Sequence, residues 1–257
     1  MPQYDKTGDT DSAINANPRV GIVIVCHNNQ ETILTTIQSV IQQDYPAITL
    51  LIIDNGSSDN SETTIRQLMK DIKTDHIEGD ETFTMGFIEN IPTIFIHCMH
   101  QSNSADAKNK AILALWQSVK YYMFLGAQDY IAVNKVSAST KIVEDDPRVG
   151  IVYGDIKIND YVEFTQPYNR DSLEQTSYIP SDAFISKTAI EHANTFNPKF
   201  SQYSHWDLFL RITESFAAVH IPLVMSHTVS LQQTTENENE YQTIIDTAQK
   251  RKSHNEV

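Results

Sequence analysis

Leu51-Ile52-Ile53-Asp54-Asn55-Gly56-Ser57-Ser58-Asp59 passes from an apolar strand directly into a polar turn. Ile48 to Ile53 reads as a strand buried on both faces, and Asp54 to Asn60 as a turn cluster. A helix follows, with Ile65, Leu68, Met69 and Ile72 on its inner face. The preceding segment repeats that order. Val20 to Cys26 is a continuous apolar run, after which Ile33, Ile37, Val40 and Ile41 recur at helical spacing until Tyr45-Pro46. Asn28 and Glu31 have the spacing of a capping box, and so do Asp59 and Glu62.

Working outward, Thr74 to Pro92 is polar, carries Gly79 and Gly86, and reads as a loop. Thr93 to Met99 is the third strand. Ala105 to Lys120 is a helix with Ala111, Leu115 and Val119 on one face, and Tyr121 to Leu125 is the fourth strand. This alternation predicts an α/β fold, Rossmann-like, with a mostly parallel central sheet and helices on both faces. Beyond it, Val149 to Tyr153 reads as a strand and Ile156 to Phe164 as a short hairpin. Pro167 to Ser177 reads as a loop, Ser204 to Phe216 as a helix and Ala217 to Met225 as a late strand. The polar residues after Gln232 read as an acidic tail with one loose helix.

Composition narrows the classes. The 257 residues are 40% hydrophobic, enough for a core, and carry a formal net charge of −14. A surface so acidic repels phosphate backbones, and Lys250-Arg251-Lys252 is the one basic triplet, so nucleic-acid binding is disfavoured unless a local groove is basic. Met1 to Pro18 lacks the apolar region of a secretory signal, and no apolar run reaches the ~18 residues of a membrane span. Cys26 and Cys98 lie in apolar runs and read as buried free thiols, which points to a cytoplasmic location.

In open α/β sheets, ligands collect at the carboxyl ends of the strands. Four such places carry chemistry here: His27-Asn28-Asn29, Asp54 to Asp59, Gly126 to Asp129, and Ser204-His205-Trp206-Asp207. With Asp106-Ala107-Lys108-Asn109-Lys110, Val149 to Asp155 and Trp206 to Arg211, they give a chain that resembles the family 2 glycosyltransferases of GT-A fold over residues 20 to 230. Asp54 to Asp59 is the most specific piece. On that resemblance the chain divides into an N-terminal segment 1–18, a glycosyltransferase domain 19–231 and a polar tail 232–257. Within the domain, 19–131 would bind the nucleotide sugar and 132–231 the acceptor.

The resemblance implies a nucleoside-diphosphate sugar donor, often a uridine one, and transfer to an unidentified glycan or other hydroxyl acceptor by direct displacement with inversion. Asp54 would accept a hydrogen bond from base or ribose, since a carboxylate only accepts; its structural alternative is a cap on the Asn55-Gly56 turn. Asp59 suits a helix cap better. Val25, His27 and Asn28 would lie beside the base, with His27 stacking on it or serving as an ordinary loop residue. Lys108 falls where the family has a cation near the diphosphate, and Asn109 would tether the loop. Gln128 would meet the ribose.

Two departures stand out. The family has a cluster of Asp residues where this chain reads Gly126-Ala127-Gln128-Asp129. A divalent Mn²⁺ or Mg²⁺ favours oxygen ligands, so Asp129 would hold it, with His227 from the late strand as a second ligand. The family also has Glu-Asp before Trp-Asp-Leu, where this chain has Ser204-His205. His205 then stands at the base position, with Asp207 as the other candidate, unless Ser204 and Asp207 merely cap the helix. A relative that binds nucleotide or glycan without catalysis, and a transferase acting on modified bases in DNA, are the competing readings. A nucleotidyltransferase would show a Gly-rich basic loop after the first strand, and His27-Asn28-Asn29-Gln30 is not one.

Overall fold

The computed structural model describes residues 17–159, 161–163, 165–228 and 237–255, with the side chains of 74, 75 and 252–255 outside the description. Residues 1–16 and 229–236, most of the expected N-terminal segment and the start of the expected tail, therefore lie outside the described residues.

The chain opens with β1 (Val20–Cys26), α1 (Ile33–Ile41), β2 (Ile48–Asn55) and α2 (Ser61–Leu68). It then forms β3 (Lys70–Glu78), β4 (Glu81–Ile88), β5 (Ile91–Cys98) and α3 (Ser104–Leu115). Next come β6 (Tyr121–Gly126), β7 (Asp129–Ile131), α4 (Lys135–Asp145), β8 (Val149–Ile158) and β9 (Tyr161–Glu163). The last part is α5 (Arg170–Leu173), β10 (Phe184–Ser186), α6 (Lys187–His192), α7 (Ser204–Ile212), β11 (Ala217–Thr228) and α8 (Glu238–Asn255).

One mixed sheet joins the strands in the order β3-β4-β5-β2-β1-β6-β10-β8-β11-β7, with β9 paired to β8. The four middle strands β5, β2, β1 and β6 are parallel. That centre is what the apolar runs predicted. Successive residues of each run serve opposite layers. Val23, Leu51, Ile53 and Phe124 pack with α3 and α7 on one face. Ile22, Ile24, Ile52 and Met123 pack with α1 and α4 on the other. The flanks are antiparallel: β4 on β5, and β10 on both β6 and β8.

Several segments differ from the sequence reading: α2 stops at Leu68, so Ile72 lies exposed in β3 rather than on the helix's inner face, and α5 forms within the expected loop 167–177. The expected loop 74–92 is the β3–β4 hairpin, which extends the sheet beyond β5. Its edge strand is exposed and charged, as sheet edges commonly are, so little apolar signal marks it. The expected loose tail helix is α8, docked on the core. Ile244 and Ala248 are buried, and Tyr241 packs on Trp206 with ring centroids 4.8 Å apart. Trp206 is itself fully buried and donates from Nε1 to Leu173 O at 2.7 Å. The polar residues of α8 hid an inner stripe that is narrow because it covers only one helix face.

Candidate active site

The sheet reverses its winding between β1 and β6, and the loops leaving their carboxyl ends flank a crevice. Thr32 ties the start of α1 to the β6 end, donating from Oγ1 to Ala127 O at 2.8 Å. The loops after β1 and β2 are laced together. Asn28 N–H donates to Ser57 Oγ at 2.9 Å, and Asn28 Oδ1 accepts from Ser58 N–H at 2.8 Å. Asp59 joins the lacing: its Oδ2 accepts from Gln30 N–H at 3.0 Å and its Oδ1 from Ser61 N–H at 2.9 Å. Asp59 is thus structural, but it is not the expected cap: Asn60 precedes α2 without a side-chain cap bond, and Glu62 turns to Arg66 rather than closing a box. Asn28 does not form the expected capping box with Glu31, because α1 begins only at Ile33, after Thr32. Asn28 instead adopts a left-handed φ of 56°, which an Asn tolerates better than most residues.

Gly56 holds the second loop in place. Its φ is +75°, and a β-carbon there would stand 2.5 Å from Gln101 N. The turn therefore presses directly on the 100–101 backbone and brings the β2 and β5 loops together. Val25 lies in register with Ile53 and Gly126 and packs on the apolar layer. His27 is partly exposed, its Nδ1 3.1 Å from Asn55 O.

Asp54 is fully buried at the end of β2. Its Oδ1 accepts from Ser57 N–H at 3.1 Å, and its Oδ2 lies 2.9 Å from His97 Nδ1. His97 Nε2 is 3.6 Å from Glu62 Oε2, and Glu62 Oε1 is 2.7 Å from Arg66 Nε. The sequence reading passed over His97. Its signal was available: Ile96-His97 ends β5 as Ile53-Asp54 ends β2, and parallel pairing sets the two in register.

At the start of β7 the Asp129 carboxylate folds back over Gly126, the last residue of β6. A β-carbon on Gly126 would stand 2.5 Å from Asp129 Oδ2. Asp129 occupies the room that a longer side chain at 126 would take. Burial, and the nearby charge of Asp182, push its pKa up to about 6 against the bonding of Thr228 and the Lys135 charge. Lys135 is buried and pairs with Asp182 Oδ2 at 2.8 Å while donating to Ser226 Oγ at 2.7 Å. Gln128 is exposed at the tip between β6 and β7.

The expected metal pair does not form. β7 and β11 pair Asp129 with Thr228, and Tyr130 with His227. Adjacent strand residues point to opposite faces. Asp129 lies beside Thr228 on one face, its Oδ1 buried without a hydrogen-bond partner, while His227 stacks on Tyr130, centroids 4.5 Å apart, on the other. Among the described residues no three His, Cys, Asp or Glu side chains gather to hold a cation. The residues present do not fit a divalent metal shared by Asp129 and His227.

Lys108 and His205, assigned to opposite ends of the reaction, meet in one cluster. Lys108 Nζ donates to Ser204 Oγ at 3.2 Å and lies 5.1 Å from the Phe196 ring centroid. Burial lowers the Lys108 pKa to about 8, against the charge of Glu240. Asn109 holds the adjacent loop as expected, bonding both N–H and C=O of Phe196. His205 Nε2 is 3.1 Å from Ser177 Oγ, and burial together with the Lys108 charge lowers its pKa to about 3. Glu240 of α8 reaches the start of α7, where its Oε1 accepts from Tyr203 N–H at 2.6 Å. Nothing in the polar C-terminal sequence marked it.

Asp207 sits in an ion-pair network. It is buried, and its Oδ2 takes two hydrogen bonds from Arg211 at 3.0 and 2.7 Å. Its Oδ1 takes a third from Arg251 at 3.1 Å. Both oxygens are committed to guanidinium groups, so the expected Ser204–Asp207 capping box is absent as well. The Arg251 read as part of a basic tail instead anchors α8.

A family model described as Glycosyl transferase family 2 matches residues 21–197. Poly-beta-1,6-N-acetyl-D-glucosamine synthase of Staphylococcus aureus (strain COL) is 28% identical over 147 residues, 56% of this chain and 31% of that protein. The same synthase from a Staphylococcus epidermidis strain is 25% identical over 139 residues, 54% of this chain and 29% of its own length. The chain thus spans about a third of the curated relatives it matches. Among solved structures, S. aureus TarS 1-349 in complex with UDP superimposes with a TM-score of 0.69 at 9% identity, covering 90% of this chain and 65% of that one. The mannosyltransferase PcManGT of Pyrobaculum calidifontis, in complex with GDP-Man and Mn²⁺, gives 0.61 at 15% identity, covering 91% and 62%. The GT-A fold is shared with both, and the match over residues 21–197 shows that the chain belongs to glycosyl transferase family 2.

Proposed function

We propose that the chain transfers a sugar from a nucleoside-diphosphate donor to an acceptor hydroxyl by direct displacement. The observation that supports this best is the pair of interlocked loops after β1 and β2, with Asp54 fixed at their root. In this reading Asp54 accepts a hydrogen bond from the base. Val25, His27 and Asn28 flank the base, and Gln128 meets the ribose. The uridine diphosphate of the TarS complex makes a uridine donor the first to try.

Lys108 offsets the charge of the departing diphosphate, as a fixed cation does for a developing anion. His205 is the proposed proton acceptor. Beside a charged Lys108 it is a weak base. A bound diphosphate adds negative charge to the same cluster and so favours imidazolium, which strengthens His205 when donor is present. No step is routed through a divalent cation.

Binding without transfer is the second reading, favoured by the inward carboxylate of Asp129. One experiment separates the two. The purified chain is given a panel of nucleotide sugars with Mn²⁺, Mg²⁺ or EDTA, and both nucleoside diphosphate release and calorimetric binding are measured. Release supports transfer; binding without release with any acceptor supports the second reading. Neither release nor binding across the panel would overturn both.

A further inference from the structure

Four polar side chains form a continuous line from α2 to the end of β2: Arg66, Glu62, His97 and Asp54. We propose that His97 is a positioning residue for base recognition, holding Asp54 so that one carboxylate oxygen faces an N–H of the donor's base. This rests on the donor reading above and adds a residue to it.

Each oxygen of the buried Asp54 carboxylate accepts one bond. Asp54 Oδ2 is held by His97 Nδ1 at 2.9 Å, and the imidazole is held in turn by Glu62, 3.6 Å from Nε2. Glu62 is steadied by Arg66, which lies 5.2 Å from the Phe95 ring centroid and donates to Thr84 Oγ1 at 3.2 Å. Oδ1 accepts one bond, from Ser57 N–H at 3.1 Å. An ionised carboxylate has about four acceptor sites. Two acceptor sites therefore stay unfilled, one on each oxygen, and the bonds from Ser57 and His97 fix how the buried carboxylate presents them to a base that uncovers it. A supporting shell of this kind fixes a recognition group more tightly than packing alone. The ligand chemistry follows. Uracil presents an N–H at its pairing edge and suits an acceptor there, whereas cytosine presents a ring acceptor at the same place.

The alternative is that His97 only satisfies a buried carboxylate. Base discrimination tells the two apart. Calorimetry would measure UDP, CDP and inorganic pyrophosphate on the wild type and on His97→Ala, His97→Asn and His97→Gln. Asn places an amide nitrogen near Nδ1 and keeps the bond to Asp54; Gln places it near Nε2 and keeps only the reach toward Glu62. The expected result is about a tenfold loss of UDP affinity in His97→Ala and His97→Gln, the size of one charge-assisted hydrogen bond. The UDP-over-CDP preference should collapse in both, with pyrophosphate affinity unchanged and His97→Asn near wild type. If His97→Ala does not fold, the Asn and Gln variants decide by themselves. Equal loss of UDP and pyrophosphate, or an unchanged UDP-to-CDP ratio in every variant, would overturn the role of His97 alone. A wild type that binds no nucleoside diphosphate would overturn the donor reading and this role with it.

Discussion

The carboxylate of Asp129 lies over the bare α-carbon of Gly126, so close that a β-carbon at 126 would stand 2.5 Å from Oδ2. The missing side chain and the misdirected one are two halves of one arrangement. Gly126 leaves room, and Asp129 folds back into it toward Thr228 and the buried Lys135–Asp182 pair. The carboxylate that the sequence offered to a metal is drawn into the interior, its Oδ1 buried without a hydrogen-bond partner.

Gly126→Ala should therefore be costly only while Asp129 is present. Overpacking by one carbon typically destabilises by about 1–3 kcal/mol. In an Asp129→Ala background the new methyl meets no carboxylate, and the cost should fall by at least half. Urea unfolding of the wild type, both single variants and the double variant gives the coupling directly. Additive losses would mean that the two positions do not share this space.

Asp129 should also leave a mark on stability against pH. Its pKa is raised from 3.8 to about 6 by burial and Asp182. A carboxyl raised in the folded state favours folding when protonated, so that contribution is complete below about pH 4 and is lost as pH rises through 6. Asp129→Asn removes the ionisation. The variant should gain stability relative to wild type between pH 4 and 6 and hold a plateau above, of about 2–3 kcal/mol at most. A difference that does not change with pH across this window would show that Asp129 ionises freely.

The parallel centre was legible because each of its strands is a solid apolar run ending in a polar turn. Val20–Cys26, for instance, is a strand at the residues the run marks. The hairpin β3–β4 was not, because an exposed edge strand such as Lys70–Glu78 needs no apolar pattern. Candidate residues were legible by position but not by direction. Asp129 and His227 stand at neighbouring rungs, yet strand alternation sends them to opposite faces. Asp207 was marked by its place before an apolar helix, and only the fold shows Arg251 arriving from α8, 44 residues on, to occupy it.

The pairing of Asp207 with Arg211 and Arg251 predicts a role in stability. Removing one partner from a buried charged network typically costs about 3–5 kcal/mol, because the remaining charges stay buried. Asp207→Asn should lower the unfolding midpoint strongly and loosen α8, seen as faster amide exchange over 238–251. His205→Ala should cost far less stability and act on turnover. If Asp207→Asn folds normally and loses only turnover, the assignment is reversed.

Lys108 and Glu240 predict the alkaline limb of diphosphate binding. The Lys108 pKa is lowered to about 8, so its charge is present below that pH and lost above it. Affinity for pyrophosphate or a nucleoside diphosphate should fall as pH rises from 7.5 to 9. Lys108→Arg, with a group charged throughout, should flatten that fall. Glu240 holds the Lys108 pKa up, so Glu240→Gln should move the limb to lower pH. Calorimetric titrations across this range check both directions, and a limb that Glu240→Gln leaves in place would count against the link between α8 and the site.

The turn after α6 holds a strain that can be removed. Asn194 and Thr195 both have φ of 60°. Asn194 follows the helix end, where a left-handed residue is common, and Thr195 N–H closes the turn on Ile190 O at 3.1 Å. For Asn the cost is small, but a β-branched residue in this region is crowded by its own side chain. The left-handed conformation costs an ordinary L-residue roughly 1–2 kcal/mol, part of which glycine's extra chain entropy would take back. Thr195→Gly should therefore stabilise the protein by up to about 1 kcal/mol, measured as a rise in Tm. Phe196, clamped by Asn109 and set against Lys108, should keep its place, so nucleotide affinity should not change. A lower Tm would mean that the Thr195 side chain contributes more to the turn than its backbone strain costs.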